Sequence, residues 1–378
     1  MITTLEIRNF KCFSNLRSYF KNLTLLTGFN AGGKSSAIQP LLLLAQGLRS
    51  SVSPKTLALN GSLVRLGTVG DVLPSDSVKS TIEFKVSGLT EERSWVFTTR
   101  AGDRFLILDQ PEAPRAEQVA TASTDSSARL ESLCGASQSV AKLTYISAVR
   151  EGASEVFPIP DGNSSEVADV GTDGRFAAYW YDQLVDNEVP ERRRHPEEPA
   201  TSLRKQLDAW LAALFPGAQA NAQMVSQVSM LSLQFRLSEI GVWHRPANVG
   251  YGLIYAFPII VALLAAEDDQ IVVIDSPEAH LHPSAQSQMG QLLARFAAAG
   301  VQILVETHSD HLLNGARLAV KAGVLPHSEL QIHFFTGATK EGHGVVSPTL
   351  DSNGRIDEWP DGFFDQSEKD LSRLAGWE

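Results

Sequence analysis

The stretch LTLLTGFNAGGKSS, residues 23–36, restricts the fold more than any other part of the chain. Its first six residues are an apolar run of strand length that ends in glycine, and a helical leucine run follows at 41–48. Between the two, Gly28, four residues, Gly33, Lys34 and Ser35 form the pattern G-x-x-x-x-G-K-[ST] in the strand-to-helix context it requires. Glycines suit such a loop because backbone N–H groups must curl around an anion without interference from Cβ atoms. The helix N-terminus adds partial positive charge. Gly28, Asn30, Gly32, Gly33, Lys34, Ser35 and Ser36 are therefore predicted to cradle the phosphates of ATP, with Lys34 reaching the β and γ phosphates and Ser35 binding Mg²⁺. Pro40 falls inside the predicted helix, where proline kinks the helix or costs about 3 kcal/mol, and is expected to redirect the leucine run.

A phosphate loop needs a carboxylate from a neighbouring strand to share its metal ion. The segment IVVIDSPEAHLHP, residues 271–283, supplies one: four apolar residues end in Asp275, at the carboxyl end of a strand, where such sites lie. Asp275 is the expected magnesium partner. The same segment holds His280 and His282, which in an extended backbone project to one face and suggest zinc. Two histidines do not complete a zinc site, and no cysteine or third histidine stands nearby.

The order of elements predicts an α/β fold. TLEIRNF reads as an alternating strand, and TIEFKV, SWVFTTR and RFLILD, between 81 and 109, read as an antiparallel meander. Residues 111–140 are rich in Ala, Ser and charge with little periodicity, as in a mobile insertion. Ser202 is placed to cap a helix whose Leu203, Leu207, Trp210, Leu211 and Leu214 share one face, and MLSLQFRL alternates as a strand. From about 250 the pattern becomes helix 250–266, strand 271–275, helix 284–298, strand 301–306, a helix from 310 and strand 330–335. Such alternation implies a parallel sheet. Three regions are expected: 1–110 with the phosphate loop and meander, 111–240 with the insertion and a helical or mixed middle, and 241–378 with the second half of the nucleotide-binding unit.

The 378 residues and 43% hydrophobic content allow a substantial core. Two cysteines, Cys12 and Cys134, are too few for a disulfide framework and fit a reducing, cytoplasmic setting. The longest apolar run, FPIIVALLAA at 257–266, is far short of a membrane span. A formal charge of −11 argues against coating nucleic acid by charge alone, and the basic cluster ERRRHPEEP at 191–199 is flanked by acids and prolines, as in a solvated loop.

Four motifs in order give the chain a family resemblance. LEIRNFKCF with LTLLTGFNAGGKSS looks like the opening strand and Walker A motif of ATPases of the ABC superclass, in its SMC, RecF and OLD branch. NVGYG at 248–252 resembles their signature, IVVIDSPEAHLHP their Walker B and D-loop, and ILVETHSDHLL at 303–313 their switch-histidine strand. The resemblance is strongest to single-chain ATPases of bacterial anti-phage defence operons, and the tail GRIDEWPDGFFDQSEKDLSRL is similar to that of one uncharacterised subfamily. It covers roughly residues 1–75 and 241–378.

The resemblance implies an ATP hydrolase that forms a homodimer around Mg·ATP. Asn248, Gly250 and Gly252 would face the γ-phosphate held by a second subunit, and His308 would bond the γ-phosphate in its own. It also implies a separately encoded effector protein as partner, with nucleic acid a further possible one. Where related ATPases often place a catalytic glutamate after the Walker B acid, this chain has Ser276, which cannot act as a base. Glu278 is the preferred substitute, because it shares the Walker B segment, and Glu306 is the other. Hydrolysis is therefore expected to be slow. The alternatives are an ATP-bound scaffold that holds an effector without turnover, a DNA-end or recombination-repair ATPase of RecF or SMC type, and, weakest, a metal nuclease. Gln46 corresponds in position to a Q-loop, and Arg150, in YISAVREG, is a candidate for nucleotide or interface contact but more readily for a salt bridge.

Overall fold

The computed structural model describes all residues except 51–54, 75–79, 110–134, 161–166, 227, 340–341 and 378. Its centre is a six-stranded sheet in the order β15-β14-β3-β13-β12-β8. These strands are β3 (Leu23–Gly28), β8 (Thr144–Ile146), β12 (Ile271–Asp275), β13 (Gln302–Glu306), β14 (Leu330–Thr339) and β15 (Gly342–Val346). Every pairing in it is parallel except β14 with the edge strand β15.

Both faces of this sheet are covered, which explains why its central strands β12 and β13 read as apolar runs rather than alternating ones. Leu25, Val272, Ile274, Ile303 and Val305 point into one core with the helices Tyr251–Ala265, Pro283–Ala298 and Asp310–Lys321. Leu26, Ile271, Val273 and Leu304 point into the other, with the helix Lys34–Arg49 and a second six-stranded sheet. That sheet is antiparallel, in the order β2-β1-β5-β6-β7-β4, from β1 (Ile2–Phe10), β2 (Phe13–Tyr19), β4 (Thr56–Ala58), β5 (Thr81–Gly88), β6 (Glu92–Thr98) and β7 (Phe105–Leu108). The expected meander is β5-β6-β7, one inner face carrying Ile82, Phe84 and Val86. A small sheet, β10 (Gln219–Val225), β11 (Met230–Arg236) and β9 (Val156–Phe157), flanks the first core.

Several local expectations need correction. Residues 111–134 of the stretch 111–140 lie outside the described residues; at its end, Gly135–Ala141 is a helix that buries Ala136 and Val140. Ser202 precedes the helix Leu203–Leu214, all five expected apolar residues of which are buried, yet its hydroxyl makes no cap bond. The first N–H groups are instead taken by backbone carbonyls, Leu203 N–H by Asn187 and Arg204 N–H by Val185. The helix Lys34–Arg49 runs through the buried Pro40 without interruption. The central sheet also crosses the three sequence regions, since β8 comes from the middle one and pairs with β12.

The phosphate loop is wedged against C-terminal structure. Phe29 N–H donates to Phe335 O at 3.2 Å, and the Phe29 ring meets Phe334, which meets the fully buried Phe363. A Cβ on Gly28, whose φ is +133°, would lie 2.3 Å from Phe335 O, so only glycine fits this turn beside β14.

Candidate nucleotide-binding site

The carboxyl ends of three adjacent strands define the site. Asp275 and Glu306 are direct partners in the β12–β13 register, and Glu306 is level with Leu26 of β3, just before the phosphate loop. The two halves of the motif pattern, nearly 250 residues apart, thus converge at one sheet edge. A cleft of about 1100 Å³ opens there, lined by Asn30 to Ser36, Glu306 and His308.

Gly33 heads the helix Lys34–Arg49, which has neither a side-chain cap nor an acid in its first turn. Its leading N–H groups therefore face the cleft with no carboxylate competing for them, as an anion site requires. Lys34 is 3% exposed, and its ammonium donates to the loop carbonyls of Phe29 (2.9 Å) and Gly28 (3.2 Å). Burial pushes its pKa down, and the charges of Glu306 and Asp275 oppose that shift. The Ser35 hydroxyl donates to Glu306 Oε1 at 3.0 Å, and the Ser276 hydroxyl donates to Asp275 Oδ1 at 2.9 Å. This set of hydroxyl and carboxylate oxygens suits a hard cation such as Mg²⁺.

The acidic residues differ in where they point. Glu306 lines the cleft, and burial first, then the charge of Asp275, pushes its carboxyl up to about 7. Glu278 does not line it: its Oε1 accepts the backbone N–H of His308 at 2.8 Å, and burial raises its pKa. The exposed His308 ring borders the cleft, held toward its neutral form by partial burial and by Lys34.

Residues not predicted as site residues from sequence also line the cleft: Asn9, Lys11, Cys12 and Ser14 from the β1–β2 hairpin of the antiparallel sheet, and His343 from β15. Asn9 and Lys11 have φ of +59° and +51°, so the β1–β2 turn is tight and delivers Lys11 to the cleft. Two positive-φ residues within IRNFKCF leave little trace in composition.

The signature segment is elsewhere. Asn248 and Gly250 are exposed, Gly250 heads the helix Tyr251–Ala265, and neither lines the cleft. Gly252 is buried, and a Cβ there would lie 2.7 Å from His280 O, so it serves packing and does not face outward with the other two. Gln46 is also remote: its amide donates to Ala58 O at 2.8 Å and accepts Val64 N–H at 3.3 Å.

His280 and His282 do not share a face. The chain turns after Asp275, with φ of +49° at Ser276 and +62° at His280, so the segment is not extended. The His280 ring packs on Tyr255 and Tyr251, while His282 Nδ1 accepts Ser284 N–H and caps the next helix. Arg150 forms no salt bridge among the described residues; Nη2 donates to the carbonyls of Asp275 and Ser276.

Solved structures with a similar fold include two that are covered almost end to end. One is an SMC head bound to the C-winged helix domain of ScpA, at 14% identity over 93% of this chain and 98% of that one, with a TM-score of 0.51. The other is an Smc head domain with an extended coiled coil, bound to the C-terminal domain of ScpA from Pyrococcus furiosus, at 14% identity over 99% of each chain and a TM-score of 0.51. The fold is SMC-head-like. Within this SMC-head-like chain, residues 137–314 match a family model described as "AAA domain, putative AbiEii toxin, Type IV TA system". Residues 325–374 match one described as "Protein of unknown function (DUF3696)", and this second match contains β14 and the tail singled out from sequence. The phosphate loop precedes the first match and is joined to it only by folding. No curated protein gives a significant match.

Proposed function

We propose that the chain is an ATPase that dimerises around Mg·ATP and controls a separate effector protein, in anti-phage defence. One observation carries the nucleotide reading: an uncapped helix N-terminus, Lys34 and Ser35 share a cleft with Glu306, whose partner in the strand register is Asp275. The SMC-head-like fold and the AAA family match over 137–314 support the same reading. Defence rests on the motif resemblance and on the toxin–antitoxin description of that family.

Mg²⁺, held by the Ser35 hydroxyl and Asp275, would supply charge compensation on the phosphates. The N–H groups at the head of Lys34–Arg49 would hold phosphate oxygens in place, and the Lys34 ammonium, leaving the carbonyls of Gly28 and Phe29, would offset charge developing on them. Glu306 is the better placed base for the attacking water, because it reaches the cleft and its carboxyl titrates near neutrality; Glu278 orients the His308 backbone. His308 would donate a ring N–H to a γ-phosphate oxygen. Asn248 and Gly250 of a second copy would complete the site from outside, consistent with their exposure.

The test is ATP binding and steady-state phosphate release by the full chain and by Lys34→Ala. Equal rates from both would show that the turnover arises elsewhere. A second reading, an ATP-bound scaffold, is favoured by Ser276, whose hydroxyl bonds Asp275 where a base would stand. Tight ATP binding without phosphate release selects it.

A further inference from the structure

Arg150 lies four residues beyond β8, beside the end of β12, with only 4% of its surface exposed. One nitrogen, Nη2, donates to the carbonyls of Asp275 and Ser276, the latter at 3.2 Å. Nε and Nη1 are buried with no hydrogen-bond partner among the described residues. Burial lowers the guanidinium to about 10, which leaves it charged at neutral pH.

A charged group buried with two idle donors is unfavourable, and an apolar side chain of similar volume would pack without that penalty. What the arginine touches indicates why it is there. Its Cζ stands 5.4 Å from the centroid of the Tyr255 ring, on the helix headed by Gly250. Tyr255 meets the His280 ring at 4.7 Å, and His280 meets Tyr251 at 5.5 Å. The His280 carbonyl in turn rests against Gly252. One cation therefore grips the turn after Asp275 by its backbone and the signature helix by an aromatic face. Glu278, in the same turn, adds its field to that of Asp275 at the guanidinium.

We propose that Arg150 is a positioning residue that couples the Asp275–Glu278 turn to the signature helix, so that ATP in the cleft and the exposed Asn248–Gly250 surface change together. This rests on the ATPase reading above. In the ATP-loaded assembly Nε and Nη1 gain acceptors that the isolated chain does not offer. A salt bridge or simple packing role would leave no reason for the arginine to span both elements.

The experiment compares the full chain with Arg150→Gln, Arg150→Lys, Arg150→Ala and Tyr255→Leu by binding of a fluorescent ATP analogue with Mg²⁺, ATP-dependent change in mass, and phosphate release. Arg150→Gln should bind the analogue within about threefold of the parent, yet lose the mass change and at least about tenfold in phosphate release. Arg150→Lys should recover part of both, Tyr255→Leu should fall between, and added guanidinium should restore Arg150→Ala. Parent-like assembly and turnover in Arg150→Gln overturns the coupling, as does a loss of binding that merely follows a fall in melting temperature across all four variants. A parent that binds the analogue without changing mass or releasing phosphate overturns it too. A parent that binds no analogue overturns the nucleotide reading itself.

Discussion

Two of the described helices follow a glycine N-cap that makes no side-chain cap bond and carry no acid in the first turn: Lys34–Arg49 after Gly33, and Tyr251–Ala265 after Gly250. Both leave N–H groups free, but their surroundings differ. The first opens into a cleft lined by Lys11, Lys34 and Glu306; the second lies exposed next to the half-exposed Tyr251, with open space where a Cβ on Gly250 would stand. A helix N-terminus attracts an anion through its free N–H groups and dipole, and a neighbouring cation or metal strengthens that hold. On the proposed reading, the first would hold the triphosphate within one chain, and the second would act on a phosphate held by another copy.

The sharpest way to break this contrast is to disable the self-sufficient helix. Lys34→Ala should lower phosphate release by about two to three orders of magnitude, with weaker ATP binding by calorimetry. Next comes the base. Glu306→Gln should reduce kcat by about 10²-fold or more while ATP still binds, and Glu278→Gln should reduce it less; the reverse order would restore Glu278 as the base. The sign of its pH dependence follows from a raised carboxyl pKa. Below about 7 Glu306 holds its proton and cannot accept another, so kcat/KM should climb as pH rises toward 7 and level off above it, and Glu306→Gln should abolish that limb. Asp275→Asn should reduce the magnesium dependence of ATP binding by about tenfold, seen by titration with and without Mg²⁺.

The smallest effects fall on the second helix and separate its two glycines. Gly250 has open space where a Cβ would stand, whereas Gly252 has the His280 carbonyl. Gly252→Ala should lower stability by about 1–3 kcal/mol in urea unfolding. Gly250→Ala should leave stability within about 0.5 kcal/mol but reduce ATP-dependent assembly if this surface meets a second copy. A Gly250→Ala chain that assembles normally removes the half-site.

Much of the first helix's setting was legible because its physics is local. Leu23–Gly28 and Ile271–Asp275 appear as their sequences read, since strands buried on both faces must be apolar throughout and stop where polar chemistry begins. The spacing of glycine, lysine and serine needs only a strand and a helix to acquire meaning. The ranking of Glu306 over Glu278 was not legible, for chain proximity to Asp275 favoured Glu278, while strand register places Glu306 beside Asp275. The histidine pair misled for a related reason: left-handed residues at Ser276 and His280 curl a segment whose composition reads as extended. Lys11 takes its position from tertiary packing, of which a lone lysine in sequence carries no sign, and Arg150, singled out from sequence, meets backbone carbonyls rather than the acid of a salt bridge.

The wedging of the phosphate loop against β14 bears on how the protein can be divided. A fragment ended near residue 324, after the AAA match, would lack β14 and β15. It would turn β3 into a raw sheet margin, its ladder of amide and carbonyl groups open to any passing strand. Such a fragment should precipitate, because the segment that looks like an appendix is the shutter that keeps the strand before the glycine-rich loop from pairing with strangers.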